Sequence, residues 1–83
     1  MKIPKIKYPL VLVHWIDIIS DTGWGTPKDV KGMLPGNVIE VGWMIHEDKD
    51  NIILMSQSID NEFIGNRTCI PRGVIKSIKK IRG

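Results

Sequence analysis

Apolar and polar residues alternate most regularly from Asn37 to His46. Ile39, Val41, Trp43 and Ile45 fall on one side, and Glu40, Gly42 and His46 on the other with Val38 and Met44 among them. A period of two, rich in β-branched and aromatic residues and free of proline, predicts a half-buried strand with Ile39, Val41, Trp43 and Ile45 as its inward set. Five polar residues, Glu47 to Asn51, lead into a second apolar run up to Ile59, which makes the pair a hairpin. Upstream, Tyr8 to Ile19 is apolar on both faces for much of its length, as in a strand buried on two sides or bent around a barrel. Ser20 to Pro35 carries Gly23, Gly25, Pro27, Gly32 and Pro35. It reads as a long loop with at most one helical turn at Pro27–Gly32, which Thr26 is placed to cap. A loop of that length in so short a chain is usually functional or mobile. A polar turn at Asp60–Glu62 follows the hairpin, then a strand from Phe63 to Pro71 broken at Gly65–Asn66, then a tight turn at Pro71-Arg72-Gly73. Val74, Ile78 and Ile81 have helical spacing, but the β-branched content of the tail favours a closing strand. Residues 1–7 form an arm, extended by Pro4 and suited to a sheet edge. The expected fold is all-β: a small five-stranded barrel with a long loop after strand 1.

Eighty-three residues make a single domain, 1–83, near the lower limit for one unstapled core. Burial at that size is incomplete, so homo-oligomer formation is a natural way to hide further apolar surface. The 42% hydrophobic content is that of a folded chain. Cys69 is the one cysteine, which excludes an internal disulfide and fits a reducing compartment. The basic start is followed by an apolar run interrupted at His14 and Asp17, so neither a signal peptide nor a membrane span is expected and the reading is cytoplasmic. The net charge of +3 is unevenly placed: Lys2, Lys5 and Lys7 begin the chain, and Arg67, Arg72, Lys76, Lys79, Lys80 and Arg82 end it, with most carboxylates between. Basic ends attract phosphate or nucleic acid. They also guard a strand edge against aggregation, which is the preferred reading for Lys79, Lys80 and Arg82.

Catalytic and metal patterns are weak. Asp21-Thr22-Gly23 matches the triplet of aspartic proteases, and Phe63-Ile64-Gly65 loosely resembles their second element. Trp24 stands where a small residue is wanted, however, and the chain lacks a flap-length insertion. His14, His46 and Cys69 lack metal-ligand spacing, and Asp48-Lys49-Asp50 opens like a calcium loop without its central glycine and final glutamate. Cys69 has no partner that marks a nucleophile and reads as core packing. No phosphate-loop pattern occurs. The expectation is a protein without catalytic function, metal or cofactor.

Three of the five aromatics are tryptophans. Trp43 fits the inward set of its strand and reads as core. Trp24, among glycines in the long loop, has few neighbours to bury it and is expected to meet a ligand or a subunit; Trp15 is divided between the two roles. Ser20, Asp21 and Thr26 surround Trp24, while Ser56, Gln57 and Ser58 interrupt an apolar strand, where they either face water or line a pocket. Arg67, Thr68 and Arg72 supply charge-assisted bonds for phosphate, and aromatic stacking with arginine holds a nucleobase. The candidate ligand-binding set is therefore Trp15, Ser20, Asp21, Trp24, Thr26, Ser56, Arg67, Thr68 and Arg72.

Val13-His14-Trp15-Ile16-Asp17 with Ser20 and Trp24, Val41-Gly42-Trp43 before an acidic turn, and Thr68-Cys69-Ile70-Pro71-Arg72-Gly73 followed by Val74-Ile75-Lys76 together resemble a group of small phage-encoded proteins with an SH3- or Sm-like barrel. Some phage proteins of this size are sponges, oligomers that sequester the cyclic nucleotide signals of bacterial antiviral defence. The resemblance implies a small five-stranded SH3/Sm-like barrel acting in the host cytoplasm as a homo-oligomer, binding a cyclic nucleotide without cleaving it. The alternatives are Sm-like nucleic-acid binding through the basic ends, and a structural or partner-binding phage module anchored by Trp24.

Overall fold

The computed structural model describes residues 3–82. Met1, Lys2, Gly83 and the side chain of Arg82 lie outside it, and with them the outermost charges of the two basic ends. The chain is mostly β. Seven strands are β1 (Leu10–Asp17), β2 (Gly36–Glu47), β3 (Asn51–Met55), β4 (Gln57–Ile59), β5 (Phe63–Gly65), β6 (Thr68–Pro71) and β7 (Ile75–Arg82); a five-residue helix α1 (Pro27–Lys31) and a single 3-10 turn at Arg72–Val74 complete it. Five strands form one antiparallel sheet in the order β6-β3-β2-β1-β7, and β4 and β5 form a separate two-stranded hairpin.

The sheet is not closed into a barrel. β6 and β7 are its two edges, joined through the 3-10 turn with no ladder between them. The tail is a strand as expected, paired with β1, but its other edge is left without a ladder partner. The physical reason lies between β3 and β6: at Ser56 the chain leaves the sheet to build the β4–β5 hairpin, so only the four-residue β6 returns beside β3. The expected break at Gly65–Asn66 separates β5 from β6, with Asn66 at φ 51°. The polar turn before β5 places Asp60 and Asn61 consecutively at positive φ and closes with the Glu62 N–H donating to the Ile59 carbonyl at 2.9 Å, as tight hairpins require.

The core is small. Val11 and Val13 of β1, Ile52 and Leu54 of β3 and Ile70 of β6 form one buried cluster, with Trp15, Met44, Val74 and Ile75 packed around it. The β1–β2 register pairs Val11 with Gly42 and Val13 with Glu40, and so turns Val38, Glu40 and Gly42 toward the core. The inward set expected for β2 is thereby reversed in the first part of the strand: Ile39 and Val41 stand 62% and 51% exposed, while Trp43 and Ile45 are half-buried and the ladder with β3 shifts register between Met44 and His46. Gly42 decides this. A Cβ there would lie 3.0 Å from the Met55 carbonyl oxygen and 3.3 Å from the Leu54 Cβ, so only a glycine lets β2 pass this close to β3. Cys69, expected in the core, lies on the outward face of β6 and is exposed, because its neighbour Ile70 takes the inward position.

A candidate ligand groove

Where β3 peels away from β2, the ladder between them stops at Trp43–Met55, and the edge of β2 from Gly36 to Gly42 has no β3 partner. A pocket of about 280 Å³ opens there, walled by Glu40 and Val41 of β2, Met55 and Ser56 at the end of β3, and Asn66, Arg67 and Thr68 of the β5–β6 turn. Ser56 also walls a second pocket, with Trp43, Ser58, Asn61 and the arm residues Ile3, Pro4 and Ile6. Trp43 and the same arm residues continue into an apolar cleft of about 450 Å³ ending at Tyr8 and Leu10. The first and second share Ser56, and the second and third share Trp43 and the arm residues, so the three run as a groove from a polar end at Arg67 to an apolar end at Tyr8.

The arm is held across the groove by the Asn61 side-chain amide, which donates to the Lys5 carbonyl at 3.1 Å, and by the Met44 N–H, which donates to the Pro9 carbonyl at 2.9 Å. No ladder pairs residues 3–6, so the arm covers Trp43 instead of extending a sheet edge. Trp43 is consequently half-buried on the face opposite the core, and its exposed part lines the groove.

Of the residues singled out from the sequence, the structure brings Ser56, Arg67 and Thr68 together. Trp15 lies elsewhere: it packs on the core, and its indole N–H donates to Glu40 Oε1 at 3.3 Å across the β1–β2 pair. Arg72 begins the 3-10 turn, where its Nε donates to the Asp48 carbonyl at 2.6 Å and its backbone N–H to the Asp50 carbonyl at 2.8 Å. It braces the β2–β3 loop. Ser20, Asp21, Trp24 and Thr26 are exposed in the loop after β1 and wall none of the three pockets. Asp21 accepts from the Gly23 N–H at 2.8 Å, a local turn contact. Thr26 caps α1 in a reciprocal box with Asp29. The hydrogen bonds from the Thr26 backbone N–H and then its hydroxyl hold the Asp29 carboxyl below its usual range.

Most of the groove's walls escaped the sequence reading, and three of them matter most to its chemistry. Glu40 and Asn66 wall the polar end, and Trp43 joins the two halves. Glu40 was assigned to the solvent side of an alternating strand, and only the reversal of β2 brings its carboxylate beside Trp15 and Ser56. Asn66 carried a signal: Gly65-Asn66 marks a turn, and the turn aims Arg67 into the groove.

At the far end of the β2–β3 hairpin, His46 Nε2 donates to Asp48 Oδ2 at 3.0 Å, and the N–H groups of Asn51 and Asp50 donate to Asp48 Oδ1. That set, with the His46 bond the largest cause, lowers the Asp48 carboxyl to about 2. Its chemistry is that of a loop clamp. Among the described residues no three His, Cys, Asp or Glu side chains gather as metal ligands, and no helix is long and apolar enough to cross a membrane. Comparison with protein-family models, with curated proteins and with solved structures finds no match for the chain.

Proposed function

We propose that this protein is a non-catalytic binding protein that captures a nucleotide in the groove between Arg67 and Trp43, and that it acts as a phage anti-defence sponge for a cyclic nucleotide signal in the host cytoplasm. The observation that carries the reading is the meeting of Ser56 with Arg67 and Thr68, brought together across the β4–β5 hairpin, in one pocket that adjoins an aromatic-walled cleft. The Arg67 guanidinium suits a phosphate, the hydroxyls of Ser56 and Thr68 suit phosphate or ribose oxygens, and Glu40 suits the N–H edge of a base. Trp43 takes the stacking role that the sequence reading gave to Trp24 and Trp15. The polar pocket alone lies at the lower edge of the roughly 300–1,000 Å³ of small-molecule sites, so a ligand with two moieties fills the groove better than a single phosphate. The order of the five strands, with a 3-10 turn before the last, supports an SH3-like sheet left open at one seam.

Calorimetry and thermal-shift measurements with a panel of cyclic mono-, di- and trinucleotides test the proposal. Binding should be stoichiometric, the ligand should be recovered intact, and Arg67→Ala and Trp43→Ala should each weaken it at least about tenfold. No heat and no shift across the panel removes the reading. A second reading, direct nucleic-acid binding, is favoured by Lys76, Lys79 and Lys80, exposed along the edge strand β7. It predicts RNA or DNA affinity that falls steeply with salt and survives Trp43→Ala.

A further inference from the structure

The segment between β1 and β2 holds a capped helical turn yet buries none of its residues in its own chain. Every residue from 17 to 35 is exposed, although α1 within it carries a complete capping box and a proline at its start. Six of these residues are large and apolar: Ile18, Ile19, Trp24, Val30, Met33 and Leu34, exposed between 42% and 105%. Trp24 is as open as a free side chain. Isolated helices this short are unstable in water, and a monomer seldom presents this much apolar surface on one segment.

The dimensions of the whole chain point the same way. Its radius of gyration is 16.8 Å and its extents are 58 × 23 × 21 Å, whereas a compact chain of this length has a radius near 12 Å. The accessible surface is 6930 Å², against roughly 5,000 Å² for a compact monomer of this mass. The excess exceeds the ~800 Å² that each partner buries in a standard stable interface.

We infer that residues 18–35 form an association arm whose occupant is a second copy of this chain, with Trp24 as its anchor. A second copy is favoured over an unrelated protein because the arm and the strip it springs from, Ile39 and Val41 on the outer face of β2, are both apolar and both unpartnered within one subunit. A two-fold contact buries the two together on each copy at once. The excess surface is more than enough to supply each copy's share of such a contact. None of the groove's walls lies within residues 18–35, but Val41 of the strip also walls the polar pocket, so association is measured without nucleotide and its outcome does not depend on ligand binding.

Light scattering and native mass spectrometry of the full chain decide it. The unmodified protein should have twice the monomer mass, and Trp24→Ala and Leu34→Asp should each weaken association at least about tenfold. Both variants should keep the β-sheet circular dichroism, since neither side chain is buried in its own subunit. A disulfide experiment in a Cys69→Ser background adds a readout that does not depend on affinity: Trp24→Cys with Ile39→Cys should oxidise to a covalent dimer. A protein monomeric at all concentrations overturns the inference, and so does a dimer that withstands both arm substitutions. A disulfide formed only within one chain, showing the arm folded back on its own strand, overturns it as well.

Discussion

The sheet and the arm between β1 and β2 are built by opposite means. In the sheet, a handful of side chains is withdrawn from water completely: Val13 and Ile52 at 0% exposure, Val11, Leu54 and Ile70 at 1%. Their positions are set by ladders spanning the chain from β1 to β7. In the arm the hydrogen bonds are local, spanning at most four residues: the Gly23 N–H to Asp21, the Thr26–Asp29 box, the Val30 N–H to the Thr26 carbonyl, and the Met33 N–H to the Val30 carbonyl. Long-range burial makes the sheet one cooperative unit. Local capping orders the arm's backbone while leaving its apolar side chains open for something outside the subunit.

Substitutions should separate the two regions cleanly. The largest effect is expected at the core, where Leu54→Ala should cost about 2–5 kcal/mol, read as a lower midpoint in denaturant for the sheet. Gly42→Ala comes next. Its methyl meets the Met55 carbonyl oxygen at 3.0 Å, and overpacking there should cost about 1–3 kcal/mol and loosen the end of the β2–β3 ladder at Trp43–Met55, beside the groove. Thr26→Ala should remove about 1 kcal/mol of local helix stability. It should appear as faster amide exchange in residues 27–32 while the sheet's thermal midpoint stays in place; a fall in that midpoint would show the arm to be packed on the sheet.

The smallest effect is in the β2–β3 loop. The Asp48 carboxyl titrates at about 2 in the folded chain and at its ordinary 3.8 when the loop opens. Its contribution is therefore full above the ordinary value and fades as pH falls through about 2. Asp48→Asn should abolish that acid dependence at the loop, measured by NMR of the Asn51 and Asp50 amides, and leave both the core and the arm unchanged.

The groove lies at the seam between a well-buried region and a weakly covered one. One wall is the end of β3, next to Leu54 and Met55; the other is the N-terminal arm, whose side-chain tie among the described residues is the bond from Asn61 to the Lys5 carbonyl. Asn61→Ala should thus widen the groove and raise exchange at the Met44 amide more than it lowers overall stability.

Much of the architecture was legible along the chain, because it follows from local chemistry. Alternation and β-branching marked β1, β2, β3 and the closing strand; Gly65-Asn66, Asp60-Asn61 and Pro71-Arg72-Gly73 marked the turns; Thr26-Pro27 marked the start of α1. The openness of Trp24 followed from its glycine neighbours. What only the tertiary structure decided was which face of each strand turns inward, where the sheet stays open, and which distant polar residues meet. A strand with apolar residues on both faces carries no internal mark of its buried side. For β2 the choice was made by the fit of Gly42 against the β3 backbone, a contact between segments more than ten residues apart. That one reversal moved Glu40 inward, exposed Ile39 and Val41, and put Trp43 in the groove, because a period of two moves the whole set of side chains together.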